Sequence, residues 1–257
     1  MSKFYKDETP EAVQNATGLH LITCSTPNGK KVQIFLEELK DIYGLEWTTS
    51  LIDIDTDEQK EPWFLKLNPN GRIPVLIDNT SEPPFPIFES SAELLYLLDT
   101  VDKDHHFGFS DPKEQSQLIQ WLIFWHASGQ PSQGQLNHFG RFAPIQIPYA
   151  VEKYKAETLR IYNVLELHLS GALNGQPRAY LAGNGLGKFS VADINAYPWV
   201  RAWKRSTISE ENMAQYTHLK EWIERIGSRP AVQRGVSDVY DEEVHPELLV
   251  STKMKHS

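Results

Sequence analysis

Two polar side chains stand where an apolar run gives way to a helical pattern near the start of the chain. The run Leu19–Cys24 is followed by Ser-Thr-Pro-Asn-Gly, residues 25–29, and then by apolar residues at helical spacing. The first turn of a helix carries unpaired N–H groups and partial positive charge, and Thr26 and Asn28 add a hydroxyl and an amide. This junction can therefore hold a small anion or a thiolate, although Asn28 fits equally well as a turn residue that starts the helix.

A proline stands at the start of a predicted strand, in the segment Asn-Pro-Asn-Gly-Arg-Ile-Pro-Val-Leu of residues 68–76. Proline cannot join both hydrogen-bond ladders of a strand, so it indicates a strand edge. A cis Ile73-Pro74 bond would turn the backbone so that Ile73 offers its N–H and C=O to an extended peptide. A trans proline on an edge strand fits the same residues, and the residues alone leave both alternatives open.

A second strand-to-helix junction lies within Phe-Glu-Ser-Ser-Ala-Glu-Leu, residues 88–94. A serine beside the unpaired N–H groups of a helix N-terminus makes a site for a carboxylate. Glu89 can accept a hydrogen bond from a ligand ammonium. The same residues also suit a simple helix cap, and Ser90 fills both roles only if its hydroxyl points outward.

The elements that must position these junctions follow the order βαβαββα. Strand patterns cover residues 19–24, 46–54, 72–78 and 85–90, and helical patterns include Val32–Tyr43, 61–71 and 90–101. Only long helical patterns follow, at residues 113–139, 149–170, 190–205 and 217–228. We therefore predict a loose segment 1–17, an α/β domain 18–101, a linker 102–112, an all-α domain 113–236 and a tail 237–257.

The composition excludes several kinds of site. The 257 residues carry a net charge of −9, which argues against a nucleic-acid partner bound through bulk charge. The single cysteine, Cys24, rules out an intrachain disulfide or a site of several cysteines, and we expect no metal. No apolar run approaches the ~20 residues of a membrane span, and the N-terminus lacks the apolar core of a secretory signal. We therefore expect a cytoplasmic protein with no membrane partner.

Together the three junctions resemble the glutathione transferase superfamily, whose members join a thioredoxin-like N-terminal domain to an all-helical C-terminal domain. The resemblance covers roughly residues 18–236 and is carried by residues 70–76, 88–94 and 189–200, the last reading Phe-Ser-Val-Ala-Asp-Ile-Asn-Ala-Tyr-Pro-Trp-Val. The segment Ser-Thr-Pro-Asn-Gly-Lys-Lys-Val, residues 25–32, is similar to the Nu-like branch related to the fungal nitrogen regulator. Ser190 and Asp193 match a capping motif of the family, to which we assign a folding role only.

The resemblance implies glutathione as the co-substrate and gives each junction a role. Ile73, with the cis Pro74 expected in the family, would bind the cysteinyl backbone. Glu89 and Ser90 would hold the γ-glutamyl end, with its carboxylate at the helix N-terminus. The other carboxylate would meet a cation, for which the sequence offers two alternatives, Arg72 and Lys60.

The same resemblance directs the glutathione thiol to the first junction and makes Asn28 and Thr26 the candidate catalytic residues. A free thiol has a pKa near ~8.5, so its thiolate needs stabilising at neutral pH. Related classes use Tyr, Ser or Cys in this loop, but Cys24 lies inside the strand and receives no catalytic role. A neutral hydrogen bond contributes ~1 kcal/mol, so we expect modest activation.

The second-substrate pocket is expected where the helical domain faces this loop. Its candidate residues are aromatic or basic side chains of the first long helix: Trp125, His126, His138 and Arg141. We expect His138 to be structural, and Arg141 to approach an anionic ligand such as a second glutathione.

These features predict an enzyme that uses the glutathione thiolate to reduce disulfides or peroxides, with weaker conjugation to electrophiles. The alternative is a regulatory binder of a protein partner, as in the fungal nitrogen regulator. That protein carries an Asn-rich N-terminal extension, whereas here only ~17 residues precede the first strand and they are not Asn-rich, which favours the enzyme. The resemblance also implies a fungal homodimer.

Overall fold

A four-stranded mixed sheet organises the first hundred residues of the chain. The computed structural model describes residues 4–5 and 8–250, so parts of the predicted segments 1–17 and 237–257 lie outside the described residues. The elements up to residue 101 are α1 (Glu11–Gln14), β1 (Leu19–Thr23), α2 (Pro27–Tyr43), β2 (Trp47–Leu51), α3 (Pro62–Leu67), β3 (Val75–Asp78), β4 (Phe85–Phe88) and α4 (Ser90–Thr100). From β1 onward their order is the predicted βαβαββα.

The strand order β2-β1-β3-β4 brings four strand ends to one end of the sheet. β1 runs parallel to β2 and antiparallel to β3, and β3 runs antiparallel to β4. The register pairs Thr23 with Leu51, Ile22 with Val75, and Val75 with Phe88. The carboxyl ends of β1, β2 and β4 therefore meet the amino end of β3, and we call this the Thr23 end of the sheet.

One face of the sheet is covered by α3. Ile22, Val75 and Ile77 point to this face and pack in one buried cluster with Trp63 and Phe64. Side chains alternate along a strand, so the neighbouring residues of β1 and β3 point to the opposite face. In this unit α2 and α4 also contact each other, which matters for the site described below.

The chain from Asp102 to Arg229 forms a second compact unit, which is helical. Its helices are α5 (Pro112–Phe124), α6 (Gln130–Asn137), α7 (Pro148–Leu169), α8 (Val191–Val200), α9 (Glu210–Ala214) and α10 (Thr217–Gly227). Within this unit the strand-like pairing is limited to an isolated bridge between Ala182 and Lys188. In the part of the chain that the structure describes, no helix is long and apolar enough to span a bilayer.

The helix predicted over residues 113–139 is interrupted by π-helical turns at Trp125–Gly129 and His138–Phe142. Pro131 gives a physical reason for the first interruption, because it has no N–H to donate to the carbonyl four residues earlier. Regular helical periodicity cannot show such a wider turn, and the sequence pattern therefore read as one continuous helix.

The predicted capping motif forms at the start of α8. Asp193 Oδ2 accepts hydrogen bonds from the Ser190 N–H and hydroxyl, both at 3.0 Å. Asp193 Oδ1 accepts from the Leu181 N–H at 3.0 Å and from Trp222 Nε1 at 2.9 Å. Burial raises the pKa of the Asp193 carboxyl to about 6 although these donors act in the opposite direction. All its contacts lie inside the helical unit, as a role in folding requires.

Residues 230–250 belong to the first unit. Helix α11 (Pro230–Gly235) packs against α2, and Arg234 donates to Glu37 Oε2 at 2.7 Å and to Asp41 Oδ1 at 2.6 Å. The next residues follow the first unit as far as β2, where the Val250 N–H donates to the Leu51 carbonyl at 3.0 Å. This division differs from the predicted domain 113–236, because the apolar face of α11 is buried on α2.

Gly235 should tolerate no side chain, because a Cβ there would lie 2.6 Å from the Ile34 Cα in α2. Gly235→Ala should therefore lower the free energy of unfolding by about 2 kcal/mol, since the backbones of two packed helices would have to separate. Urea denaturation followed by circular dichroism measures the change. Gly134→Ala is the matched control, because its Cβ would meet Trp199 at an ordinary 3.6 Å. Equal stability of the two variants would contradict this account of the α2–α11 contact.

Candidate functional site

The Thr23 end of the sheet brings together the three junctions found in the sequence. Thr26 and Asn28 follow β1, Ile73 and Pro74 precede β3, and Glu89 and Ser90 follow β4. Neighbouring strands lie ~4.8 Å apart, so two strand spacings separate the first junction from the third by roughly 10 Å. A tripeptide in extended form spans about the same distance.

The start of α2 is held tightly against the end of β1. Thr26 is the N-cap, and its hydroxyl accepts from the Gly29 N–H at 3.2 Å. Pro27 and Asn28 complete the first turn, with Asn28 half-buried. A Cβ at Gly29 would lie 2.3 Å from the Cys24 carbonyl oxygen, so only glycine allows the helix to begin this close to the strand.

Gln33 fixes the same junction from within the helix and was not singled out in the sequence. Its side chain is fully buried, and Nε2 donates to Thr23 Oγ1 at 3.0 Å and to the Cys24 carbonyl at 3.3 Å. A glutamine on a helix is usually solvated, so only the packing around α2 shows this role.

Cys24 lies at this junction but points into the core. Its side chain is 1% exposed. The pKa of the thiol is raised to about 12, chiefly by burial and further by the negative charge of Glu242, although a hydrogen bond with Thr26 acts in the opposite direction. The thiol therefore stays protonated at neutral pH, as expected of a cysteine with no catalytic role.

The second junction leaves backbone groups available for an extended ligand. The Ile73-Pro74 bond is cis, and β3 begins only at Val75. Ile73 is half-buried, and neither its N–H nor its C=O is hydrogen-bonded to a backbone group of another described residue. The position and the bonding state match those expected of a residue that pairs with a ligand backbone.

The two cations considered for a second ligand carboxylate differ in their surroundings. Lys60 Nζ donates to the Gly71 carbonyl at 2.6 Å, so this ammonium supports the loop before β3. The backbone carbonyl of Arg72 accepts from Asn68 Nδ2 at 2.7 Å, while the Arg72 residue is exposed. The geometry therefore favours Arg72 for the ligand and gives Lys60 a supporting position.

The third junction is built on the 11-residue helix α4. Glu89 is exposed, has a positive φ of 72°, and accepts from Asn70 Nδ2 at 3.4 Å. Ser90, the first helical residue, is 4% exposed, and its hydroxyl accepts from Lys31 Nζ at 3.3 Å. The Ser90 hydroxyl thus faces an ammonium that the sequence analysis did not identify.

The four residues proposed for a second-substrate pocket fall on the two π-helical turns of the helical unit. Turns of this kind recur at functional sites. His138 and Arg141 are exposed, and Arg141 Nη1 donates to the Arg205 carbonyl at 3.3 Å. His126 is half-buried, whereas Trp125 is 1% exposed and is a core residue of this unit, packed on Gly129. The sequence pattern suggested a lining role for Trp125 because a regular helical period does not show a π-helical turn.

Family models match both parts of the chain. The model of the glutathione S-transferase N-terminal domain matches residues 26–100, and that of the glutathione S-transferase C-terminal domain matches residues 141–230. These ranges contain every candidate residue from Thr26 to Ser90 and Arg141 of the helical unit, and they confirm the resemblance carried by the three junctions.

Individual proteins are similar over most of the chain. The disulfide-bond oxidoreductase YfcG of Escherichia coli is 38% identical over 217 residues, which cover 83% of this chain and 92% of that protein. A glutathione transferase homolog from Lodderomyces elongisporus, solved with two GSH per subunit, has a TM-score of 0.76 at 36% identity, over 86% of this chain and 98% of its own. The glutathione transferase URE2P8 of Phanerochaete chrysosporium, solved with oxidized glutathione, has a TM-score of 0.76 at 31% identity. The match covers 85% of this chain and 93% of that protein chain. The predicted fold and its Ure2-related branch are thus confirmed.

The burial of Cys24 predicts that the native protein shows almost no thiol reactivity. At about pH 8 a thiol with a pKa near 12 has more than about 1000-fold less thiolate than an ordinary cysteine. Titration with dithionitrobenzoate should therefore proceed very slowly on the folded protein, and should release one equivalent promptly in denaturant. Prompt reaction of the folded protein would mean that the thiol is accessible and ionisable.

Proposed function

Because this chain belongs to the glutathione S-transferase family, we propose that it binds glutathione at the Thr23 end of the sheet and uses the glutathione thiolate to reduce disulfide bonds. One observation carries this choice of nucleophile. The only cysteine of the sequence, Cys24, is buried and its pKa is raised to about 12. The reducing thiol must therefore come from the ligand.

In the proposed complex, each part of glutathione meets the junction whose chemistry it matches. The backbone of Ile73 pairs with the cysteinyl residue, as a β-strand would. Glu89 accepts from the ligand ammonium, and the γ-glutamyl carboxylate lies at Ser90, at the N-terminus of α4. Arg72 neutralises the glycyl carboxylate. The thiol then lies near Thr26 and Asn28, roughly two strand spacings from Ser90.

The reaction consumes two glutathione molecules and involves only sulfur atoms. The bound thiolate attacks one sulfur of the substrate disulfide, forms a mixed disulfide and releases the other sulfur as a thiolate, which takes a proton from water. A second glutathione thiolate attacks the glutathione sulfur of the mixed disulfide. Glutathione disulfide forms, and the second substrate sulfur leaves as a thiolate. The substrate gains two electrons and the two glutathione molecules lose them.

The protein's main chemical contribution is to stabilise the attacking thiolate. Thr26 already accepts from the Gly29 N–H and interacts with the Cys24 thiol, so Asn28 is the principal candidate donor to the ligand sulfur. The N-terminus of α2 adds partial positive charge, which contributes ~0.5 kcal/mol or more at such a position. The same thiolate would also reduce peroxides and, more weakly, conjugate electrophiles, since both reactions begin with its attack.

We extend the proposal to a cytoplasmic homodimer. The cytosolic glutathione pool is reducing, so that compartment supplies the co-substrate in the form the reaction needs. For the dimer, the second unit exposes large apolar side chains from the π-helical turn after α6 to the first turn of α7: Phe142, Ile145, Ile147 and Tyr149. A run of exposed apolar residues of this kind suits a subunit interface. Sedimentation analysis of the purified chain tests this part of the proposal separately.

Titration calorimetry with reduced glutathione and with its disulfide tests the proposal as a whole. Tighter binding of the disulfide would support a disulfide reductase with room for two glutathione molecules. Binding of the reduced form alone would favour peroxide reduction or conjugation. If neither binds at millimolar concentration, the catalytic proposal is wrong and a protein-binding role replaces it.

Asn28→Ala should lower kcat/KM for reduction of a small disulfide about fivefold, because one neutral hydrogen bond to the thiolate contributes ~1 kcal/mol. The thiol pKa of bound glutathione, followed by ultraviolet absorbance of the thiolate, should rise by about 0.7. Asn15→Ala is the control, because Asn15 is exposed at the end of α1. An unchanged thiol pKa in Asn28→Ala would exclude Asn28 as the donor.

A further inference from the structure

A buried lysine and a buried glutamate lie behind Ser90, where the proposed function places a ligand carboxylate. Lys31 of α2 and Glu93 of α4 are both 0% exposed. Neither residue belongs to the site derived from the sequence, and neither takes part in the reaction described above. Burying two ionisable side chains is costly, so their place beside a binding residue calls for a physical account.

Lys31 makes a direct hydrogen bond to Ser90, the residue proposed to bind the ligand carboxylate. Its Nζ donates to Ser90 Oγ at 3.3 Å, and Ser90 itself is 4% exposed. A carboxylate bound at the N-terminus of α4 would thus have a hydroxyl in front of it and an ammonium immediately behind that hydroxyl. In a buried position such a charge acts through a lower dielectric than a surface lysine does.

Glu93 lies one helical turn beyond Ser90, so both residues are on one face of α4. Neither of its carboxylate oxygens has a hydrogen-bond partner among the described residues. An ionised carboxylate without a donor is strongly disfavoured in a dry site, whereas a neutral carboxyl is tolerated. Burial accordingly raises the pKa of Glu93 well above its ordinary value, and the negative charge of Glu89 raises it further.

Burial has the opposite effect on Lys31 and lowers its pKa to about 7, although the negative charges of Glu89 and Glu93 act against this. These two glutamates are the charged groups that face Lys31 from α4. On α11, which packs on another side of α2, Arg234 is paired with Glu37 and Asp41. In the absence of ligand, Lys31 is therefore mostly unprotonated above about pH 7, while Glu93 favours its neutral form.

We propose that Lys31 is a positioning residue for the ligand carboxylate at Ser90, and that binding of this carboxylate draws one proton from solvent onto the Lys31–Glu93 pair. This inference rests on the proposed function, which places the carboxylate there. The only bond formed is N–H or O–H, and the pair's charge rises from zero to +1 as a charge of −1 arrives beside it. The site thereby selects ligands with a free carboxylate, because a neutral amide supplies no charge to retain the proton.

Calorimetry in buffers of different ionisation enthalpy counts the protons taken up. S-methylglutathione is the probe, because it keeps both carboxylates and the ammonium but has no thiol proton to release. We expect uptake of nearly one proton per site at about pH 8, falling toward zero below about pH 6, where the pair is already protonated. Affinity should fall by up to about tenfold per pH unit across the window in which uptake occurs.

Variants at Lys31 and Glu93 show which of these two residues takes up the proton. Lys31→Met should abolish the uptake and weaken binding about tenfold or more, because an ammonium beside a carboxylate is removed. Glu93→Gln should keep the uptake, because glutamine replaces a carboxyl that burial holds in its neutral form and leaves Lys31 in place. Lys40→Met is the matched control, since Lys40 is exposed on the same helix. Proton uptake by this variant should equal that of the unmodified protein.

The possible results separate the two proposals. If S-methylglutathione binds without proton uptake, or if uptake persists in Lys31→Met, the inference is wrong while the glutathione site stands. If the probe does not bind the unmodified protein at all, the glutathione site is wrong and the inference falls with it. Should Lys31→Met fail to fold, the uptake of the unmodified protein and its persistence in Glu93→Gln decide the question, since loss of the uptake in Glu93→Gln would contradict Lys31 as the group that takes up the proton.

Discussion

The burial of α2 on every side is the constraint on which the first unit depends. All residues from Lys31 to Leu39 are buried, and this run includes four polar or charged side chains. A buried polar group that lacks a partner costs free energy comparable to a lost hydrogen bond, or more if it is charged. Each of these side chains must therefore be matched from a neighbouring element, and the matching fixes where those elements lie.

The partners of α2 include groups at the proposed site. Gln33 binds Thr23 Oγ1 and the Cys24 carbonyl, and thereby holds the end of β1 under the first turn of the helix. Lys31 binds Ser90 and links the helix to the start of α4. Glu37 accepts from Arg234 and from the Tyr240 hydroxyl at 3.2 Å, which anchors the C-terminal segment on the same helix. The groups proposed to meet the thiol and the γ-glutamyl carboxylate are thus held by one helix, so neither can move without straining its buried contacts.

Local sequence patterns predicted the order of the elements and the junctions between them. They did not predict the contacts that segments distant in the sequence make with these elements. Alternating and helical periods gave the order βαβαββα, and turn chemistry located the junctions at Thr26, Ile73 and Ser90. The apolar stripe of α2, however, indicates only one buried face, and no local pattern singles out Lys31 and Gln33, which lie off that stripe. The segment that covers part of the remaining surface contains Arg234, 197 positions from its partner Glu37. The inward position of Trp125 was missed for a related reason, because a π-helical turn leaves no trace in a regular helical period.

The charge balance of the whole chain explains why a buried cation is useful at the proposed site. Glutathione is an anion at neutral pH, and a protein with a net charge of −9 repels it at long range. A helix N-terminus at the surface attracts a carboxylate by only ~0.3–1 kcal/mol, and salt screens part of that. A cation placed in the interior is screened much less, but it is costly to keep charged when no ligand is present. A lysine that takes up its proton as the carboxylate arrives meets both requirements, because the buried charge exists mainly while its partner is bound.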